Sequence, residues 1–356
     1  MTQSLVMSRT EIPPLQIHSD AYIIQAQSDV GAVRKENQDF FGFRKNDHCA
    51  FLIVLDGMGG HSGGFEASRI ACASMLKYFD DTITTSPNEP EIFLQEAINA
   101  AHEDIRIFAQ ENPQMEGMGT TVVCALIFDK KCWIAHVGDS RAYIMRNNQL
   151  FQLTIDHTCV NQLALSGEIS IEKMKNHPMN HILDRSMGSE EFLEIEVYPS
   201  PIALMKGDLI ILSSDGFLQY VEDNDFLTLF STAQKELKLQ NCIDIALKRG
   251  GSDNITVATL EFLLPNEEST QLEDIREGFY ERVEKAQEEF LRQLELQEPE
   301  SVFRVKKLSN SSSLRVEYMK DGEYELPPPP EKVSPIMYVL LAILLLGTGM
   351  ILGAVL

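Results

Sequence analysis

Apolar and polar positions alternate with two different periods along the first 264 residues. Residues 51–55 form an unbroken apolar run ending in Asp56-Gly57, the pattern of a buried strand that feeds a loop. Residues 65–79 and 91–110 repeat apolar side chains at helical spacing, and the second stretch stops just ahead of Pro113. Residues 120–128 and 132–137 are rich in strand formers, and Asp129-Lys130-Lys131 between them predicts a hairpin. Further strands are predicted at 141–145, 208–212 and 255–262. Crowded strands with hairpin-length turns favour antiparallel sheets over a βαβ winding.

The pattern changes after residue 264. Residues 267–300 are strongly acidic and carry Leu272, Ile275, Phe279, Val283, Ala286, Phe290 and Leu294, a spacing that draws one apolar stripe down a helix. Glu281–Lys285 and Glu288–Arg292 are i,i+4 pairs in the favourable orientation. The stripe is expected to dock on the preceding domain, with pairing to a second copy as the other reading. A Ser-rich patch at 309–313 and four prolines at 327–330 read as a stiff spacer. Residues 336–356 are 21 residues without a charge. As a helix they would span about 30 Å, the thickness of a bilayer's hydrocarbon core. Residues 1–20 hold Pro13, Pro14, a single arginine and no apolar run, so no secretory signal is expected. The expected organisation is an extension (1–20), a main α/β domain (21–264), an acidic helix (265–300), a linker (301–335) and a membrane anchor (336–356). The domain then lies on the cytoplasmic side. Gly349 and Gly353 add a GxxxG through which the anchor, like the connector helix, could form a homodimer.

Composition narrows the function classes. Of 356 residues, 53 are acidic and 30 basic, a net charge of −23. That argues against nucleic acid as a partner, because a phosphate-backbone binder needs a basic face. The six cysteines are scattered with no C-x-x-C pair, which fits core packing in a reducing compartment.

The chemistry is suggested by where four aspartates fall. Asp56, Asp139, Asp215 and Asp253 each sit at the end of an apolar strand, and three of them adjoin glycine. A lone Asp-Gly at a strand end is usually a turn. Four of them, if the strands stack in a sandwich, can gather carboxylates at one end. Such charges repel unless cations neutralise them, and all-oxygen donors select Mg²⁺ or Mn²⁺ over zinc.

From about residue 28 to 262 the chain resembles the protein phosphatase 2C family, metal-dependent Ser/Thr phosphatases, and more closely its bacterial branch. The matching segments are SDVGAVRKENQDFFG (28–42), VLDGMGGHSGG (54–64), GMGTTVV (117–123), VGDSRAY (137–143), DHT (156–158), SSDGF (213–217) and GGSDNITV (250–257). The resemblance implies an α+β fold, a four-layer α/β/β/α sandwich with a binuclear Mn²⁺/Mg²⁺ site at one end. It further implies that Asp56 bridges the two ions, that the Gly57 carbonyl ligates one, and that Asp215 and Asp253 hold the other. Asp39 would be a ligand or its support, and Asp139 with Asp215 would hold a third, weaker ion. Arg34 would clamp the substrate phosphate, which suits bidentate guanidinium geometry, and Asn254 would orient the site. A metal-bridging water would attack phosphorus in line with the leaving Ser or Thr oxygen, with no covalent phosphoenzyme.

Two departures stand out. Gln38 replaces the usual glutamate of the Asn-Glu-Asp motif, and Met58 occupies a position where some members carry a histidine acid. His61 is the nearest candidate general acid; His136, His157 and His177 are expected to be packing or capping groups. Residues 156–188 correspond to the family's flap beside the site. The expected partners are phosphorylated proteins and a cognate Ser/Thr kinase, met at the membrane. The competing reading is a non-catalytic phosphoprotein-binding adaptor of the same fold.

Overall fold

The computed structural model describes residues 12–297 apart from 60–62, 84–88, 167, 175–176, 190, 231–238 and 269, together with two strands further on. His61, the Ser-rich patch, the proline run and the apolar run 336–356 with Gly349 and Gly353 lie outside the described residues. Among the described residues no helix is long and apolar enough to cross a membrane.

In chain order the elements begin with β1 (Leu15–His18), β2 (Tyr22–Asp29), β3 (Asp39–Lys45), β4 (Cys49–Met58), α1 (Gly63–Thr82) and α2 (Pro90–Glu111). There follow β5 (Gly119–Thr120), β6 (Val122–Phe128), β7 (Lys131–Val137), β8 (Arg141–Arg146), β9 (Gln149–Gln152), α3 (Cys159–Leu165) and α4 (Ile171–Met174). The remainder comprises β10 (Glu196–Val197), β11 (Ile202–Ala203), β12 (Leu209–Ser213), α5 (Asp215–Leu218), α6 (Asp223–Leu229), α7 (Leu239–Lys248), β13 (Ile255–Phe262), α8 (Leu272–Gln297), β14 (Phe303–Lys307) and β15 (Leu314–Tyr318).

Two antiparallel sheets carry the fold. One runs β1-β2-β13-β12-β8-β9 and the other β10-β7-β6-β4-β3, with β5 added to β4 and β11 to β7. The boundary expected at residue 21 falls between β1 and β2, which pair directly. The predicted strand at 120–128 divides, because Thr120 pairs back to Gly57 in β5 while β6 begins at Val122. Two of the turns that set the registers are two-residue hairpins. Asp129-Lys130 and Asn147-Asn148 all take positive φ, between 47° and 59°, the conformation of a type I′ turn.

Burial follows the layering. β4 lies between β3 and β6 and packs against α1 on one face and the opposing sheet on the other, so seven consecutive residues from Cys49 to Leu55 are buried. Phe51 meets Phe79 of α1 and Phe93 of α2, with ring centroids 5.9 and 5.4 Å away. On the other side, Phe217, Phe226, Cys242 and Ile243 of α5–α7 pack on Tyr143, Ile211, Ile255 and Val257. The result is helices, sheet, sheet, helices, the expected sandwich. No disulfide joins the cysteines, and five of the six are buried.

The acidic connector helix α8 docks on this body. Leu272 and Ile275 are buried, Phe279, Val283 and Ala286 are partly covered, and the Tyr198 hydroxyl donates to the Ile275 carbonyl at 3.2 Å. Ahead of α8, Arg146 is buried and donates to both carboxylate oxygens of buried Asp208 and to the carbonyls of Ala203 (3.0 Å) and Thr270. Arg146 thus ties β8, β11 and the entry to α8 together. Truncating one partner of a buried ion pair leaves the other uncompensated, so Arg146→Leu is expected to cost about 3–5 kcal/mol. Urea denaturation of the variant against the native chain measures this.

Candidate active site

The residues singled out in the sequence converge on a cleft of about 760 Å³ at one end of the sandwich. Its walls include Arg34, Gln38, Asp56, Gly57, Met58, Asp139, Asp215 and Asp253. Each carboxylate reaches the cleft from a chain end fixed by a sheet. Asp56 lies two residues before the end of β4, Asp139 lies in the turn between β7 and β8, Asp215 follows β12 as the first residue of α5, and Asp253 precedes β13. Asp39 opens β3 directly across from Asp56, so the antiparallel register sets the two side by side.

Backbone contacts here are too close for side chains at one position in particular. A Cβ on Gly57 would sit 2.1 Å from the Gly64 carbonyl oxygen and 2.6 Å from that of Gln38, while Gly57 N–H donates to Gln38 O at 3.1 Å. Asn254 holds the loop that carries Arg34. Its side-chain oxygen accepts from Gln38 N–H at 2.8 Å, and its amide donates to the carbonyls of Val30 and Glu36 at 2.9 and 3.0 Å. Arg34 is half exposed at the mouth of the cleft and donates to Asp253 Oδ2 at 2.7 Å. The same hydrogen bond raises the Arg34 pKa further above its ordinary value.

The carboxylates lack enough protein donors to satisfy them. Asp39 is fully buried; Ser214 donates to its Oδ2 at 2.7 Å, but Oδ1 has no partner. Asp215 Oδ1 is likewise buried and unpartnered. Asp56 and Asp215 are close enough to share a hydrogen bond. Burial, reinforced by the neighbouring acids, pushes Asp56 and Asp139 well above the carboxylate range and Asp39 up to about 7. Burial also raises Asp215, with Asp253 adding to the effect and Arg34 opposing it. Five acids, two of them with an orphaned buried oxygen, form a hard-oxygen donor set that fits divalent cations such as Mn²⁺ or Mg²⁺.

Cysteine chemistry does not fit. No cysteine lines the cleft, and burial pushes Cys72, Cys124 and Cys242 to about 12, far from the thiolate a nucleophile needs.

The flap region contributes side chains that sequence reading missed. His181, Ile182 and Leu183 border the cleft, on a segment anchored by the bridges Thr158–Leu183 and Thr120–Met187. His181 is one of several polar residues in that stretch, and nothing local distinguishes it. Ser214 was also missed, since its bond to Asp39 spans 175 positions. Of the histidines expected to pack or cap, His136 and His157 are buried and stacked, and His177 Nδ1 accepts from Met179 N–H at 3.2 Å.

Two antiparallel sheets faced by helices, with acids from five strand ends around one cleft and an arginine at its mouth, define a sandwich whose donor set suits divalent cations. The chain belongs to the protein phosphatase 2C family, whose model matches residues 32–241. It is 35% identical over 238 residues to the serine/threonine phosphatase stp of Listeria welshimeri, covering 66% of this chain and 94% of that one. The solved Mycobacterium tuberculosis serine/threonine phosphatase PstP/Ppp superposes with a TM-score of 0.62 at 30% identity, over 68% of this chain and 100% of that one. A structure of the PstP catalytic domain in complex with two manganese ions is similar, with a TM-score of 0.60 at 29% identity, over 68% of this chain and 99% of that one.

Asn254→Ala removes three hydrogen bonds, from Gln38 N–H and to the carbonyls of Val30 and Glu36. A stability loss of about 1–3 kcal/mol is expected. Hydrogen exchange followed by mass spectrometry should rise in residues 30–38 and stay native in the strands of the opposite sheet edge.

Proposed function

We propose that this protein, a serine/threonine phosphatase of the protein phosphatase 2C family, hydrolyses phosphoserine and phosphothreonine in protein substrates at this cleft. The observation that carries the reading is the convergence of Asp39, Asp56, Asp139, Asp215 and Asp253, with Arg34 at the mouth. In this reading Asp56, the Gly57 carbonyl, Asp215 and Asp253 would hold two divalent cations. Asp39 would support them, and Asp139 with Asp215 would hold a third, weaker ion. Mn²⁺ or Mg²⁺ suits the all-oxygen donors. Bound divalent cations supply Lewis-acid chemistry, acidifying water and neutralising phosphate charge.

The chain's own residues do the rest. Arg34 grips two phosphate oxygens with its planar fork, and Asp253 and the loop clamp of Asn254 keep that fork over the acids. His181, Ile182 and Leu183 narrow the approach on the flap side, so a phosphorylated side chain enters from solvent while its peptide stays outside. His61 remains the proposed general acid on its sequence position. The adaptor reading is disfavoured because Asp56, Asp215 and Asp253 are all present.

The reading extends to location. The uncharged run 336–356 and the proline-containing linker ahead of it support a C-terminal tether that holds the domain at the cytoplasmic face of a membrane, opposing a Ser/Thr kinase. A second copy, through the connector or the GxxxG of the anchor, is the proposed route to a dimer.

Full-length protein stripped with chelator and assayed on a phosphothreonine peptide should release phosphate only after Mn²⁺ or Mg²⁺ is restored. Asp215→Asn should reduce kcat/KM by at least about 10²-fold, the scale of losing a charge-stabilising group. Metal-independent turnover, or an unchanged Asp215→Asn, would overturn the two-metal reading; phosphopeptide binding without turnover would leave the adaptor. For the tether, deletion of 336–356 should move the protein from the membrane fraction to the supernatant on ultracentrifugation. Equal partition of both forms would sink it.

A further inference from the structure

A second set of ligand-type side chains, His136, His157 and Glu196, lies together outside the cleft with donor atoms within 4.8 Å of one another. Their hydrogen bonds point away from metal binding. His157 Nδ1 accepts from Gly138 N–H at 3.1 Å, so the ring's proton is on Nε2 and faces Glu196 Oε2 at 3.3 Å. His136 Nε2 donates to the Ile155 carbonyl at 2.8 Å. The two rings stack 4.4 Å apart at 20°, which sets their in-plane lone pairs side by side instead of converging on a point. Burial lowers His136 to about 4, so it stays neutral at physiological pH. Glu196 Oε1 is already taken by Arg282 Nη1 at 2.6 Å.

These contacts form a chain that starts on α8. Arg282 is anchored by the Glu196 carboxylate, by the Leu153 carbonyl at 2.5 Å and by the Tyr198 ring beneath it at 4.5 Å. Glu196 holds His157. His157 then grips Gly138 twice, accepting from its N–H and donating its own backbone N–H to the Gly138 carbonyl at 3.0 Å. Gly138 has φ +101°, and a Cβ there would press 2.6 Å from the Thr121 methyl. Thr121 Oγ1 in turn contacts Ser140 at 2.7 Å and accepts from Asp56 N–H at 3.1 Å. Asp139 is the residue between the two pinned positions.

We propose that the connector helix α8 is a positioning element for the metal cleft, acting through Arg282, Glu196 and His157 to fix the Gly138–Asp139 turn and so the carboxylate of Asp139. The inference rests on the reading of the cleft as a metal site and goes beyond it, because Arg282 lies outside the residues 32–241 matched by the family. The physical reason is that Asp139 sits on a glycine turn rather than within a strand. Such a turn keeps its aim only while both Gly138 backbone groups are held. Groups that orient a ligand from behind typically change metal affinity by about 10–100-fold when removed.

The test is a double-mutant cycle in the full chain: native, Arg282→Gln, Asp139→Asn and the pair. Mn²⁺ binding is read by titration calorimetry, and the Mn²⁺ dependence of phosphopeptide turnover is read separately. Arg282→Gln is expected to raise the Mn²⁺ concentration for half-saturation by about 10-fold. KM for the peptide at saturating Mn²⁺ should stay native. In the Asp139→Asn background the same substitution should change Mn²⁺ binding less than twofold, because the relay then has nothing to aim. Arg282→Lys, which keeps the charge beside Glu196, should recover part of the affinity, and it takes the place of Arg282→Gln in the cycle if that variant does not fold. Native Mn²⁺ binding by the Arg282 variant, or an equal loss in the Asp139→Asn background, overturns the inference while leaving the proposed function standing. A native chain that takes up no Mn²⁺ overturns both.

Discussion

Mutual repulsion among five clustered acids, one buried and four partly buried, is the constraint around which this sandwich is arranged. Asp39 and Asp56 are neighbours across a strand pair, Asp215 lies within hydrogen-bond reach of Asp56, and Asp139 and Asp253 complete the ring. Held at such separations in a low-dielectric setting, these charges oppose the fold that gathers them. The structure offsets the cost only in part. Ser214 donates to one oxygen of Asp39, Arg34 to one of Asp253, and Thr121 and Thr120 lock the Asp56 backbone. Among the described residues, two buried carboxylate oxygens have no protein partner. A site in which protein donors stop short of satisfying the acids is matched to cations, which provide charge neutralisation that no further hydroxyl could.

Rigidity follows from the same constraint. Acids that repel one another spread apart unless their backbones are fixed, and here every one is carried at the end of a sheet strand or in a turn clamped to one. The contacts at Gly57 and Gly138 leave no room for a side chain: Gly57 lies against the backbone of Gly64 and Gln38, and Gly138 against the Thr121 side chain. Asn254 plays the equivalent part for the Arg34 loop, joining three separate backbone positions through one amide. Preorganisation of this kind is what lets a charged site act without rearranging when charge develops on a substrate.

Much of this was legible in the chain. Apolar runs that end in Asp-Gly marked strand ends, and antiparallel pairing brings such ends to one edge. Asp129-Lys130-Lys131, a short polar link between two strand-rich runs, announced a hairpin; the turn itself takes only Asp129 and Lys130, both at positive φ, and Lys131 opens β7. The α8 stripe predicted docking, since Leu272 and Ile275 fall on one helix face. What periodicity does not carry is long-range polar pairing. Ser214 to Asp39, Arg146 to Asp208 and Arg282 to Glu196 join residues 62 to 175 positions apart, and none lies on a recurring pattern. His157 read as a packing group for the same reason: its environment is stacked and buried, and only the direction of its two ring nitrogens reveals what it holds.

Gln38 is best understood against the repulsion with which the site contends. It lines the cleft beside Asp56 and Gly57, and its backbone carbonyl accepts from both Gly57 N–H and the Ser68 hydroxyl, so its place in the fold is set by the main chain. These main-chain bonds, which fix the strand register, do not depend on the charge of the side chain. An amide there leaves the cleft one negative charge poorer than a glutamate would. That lowers the attraction for cations and, by the same Coulomb term, lowers the cost of holding the remaining acids together when ions are absent. Affinity for metal and tolerance of its absence are thus two readings of one charge count, and Gln38 shifts both in the same direction that Arg34, with its hold on Asp253, already leans.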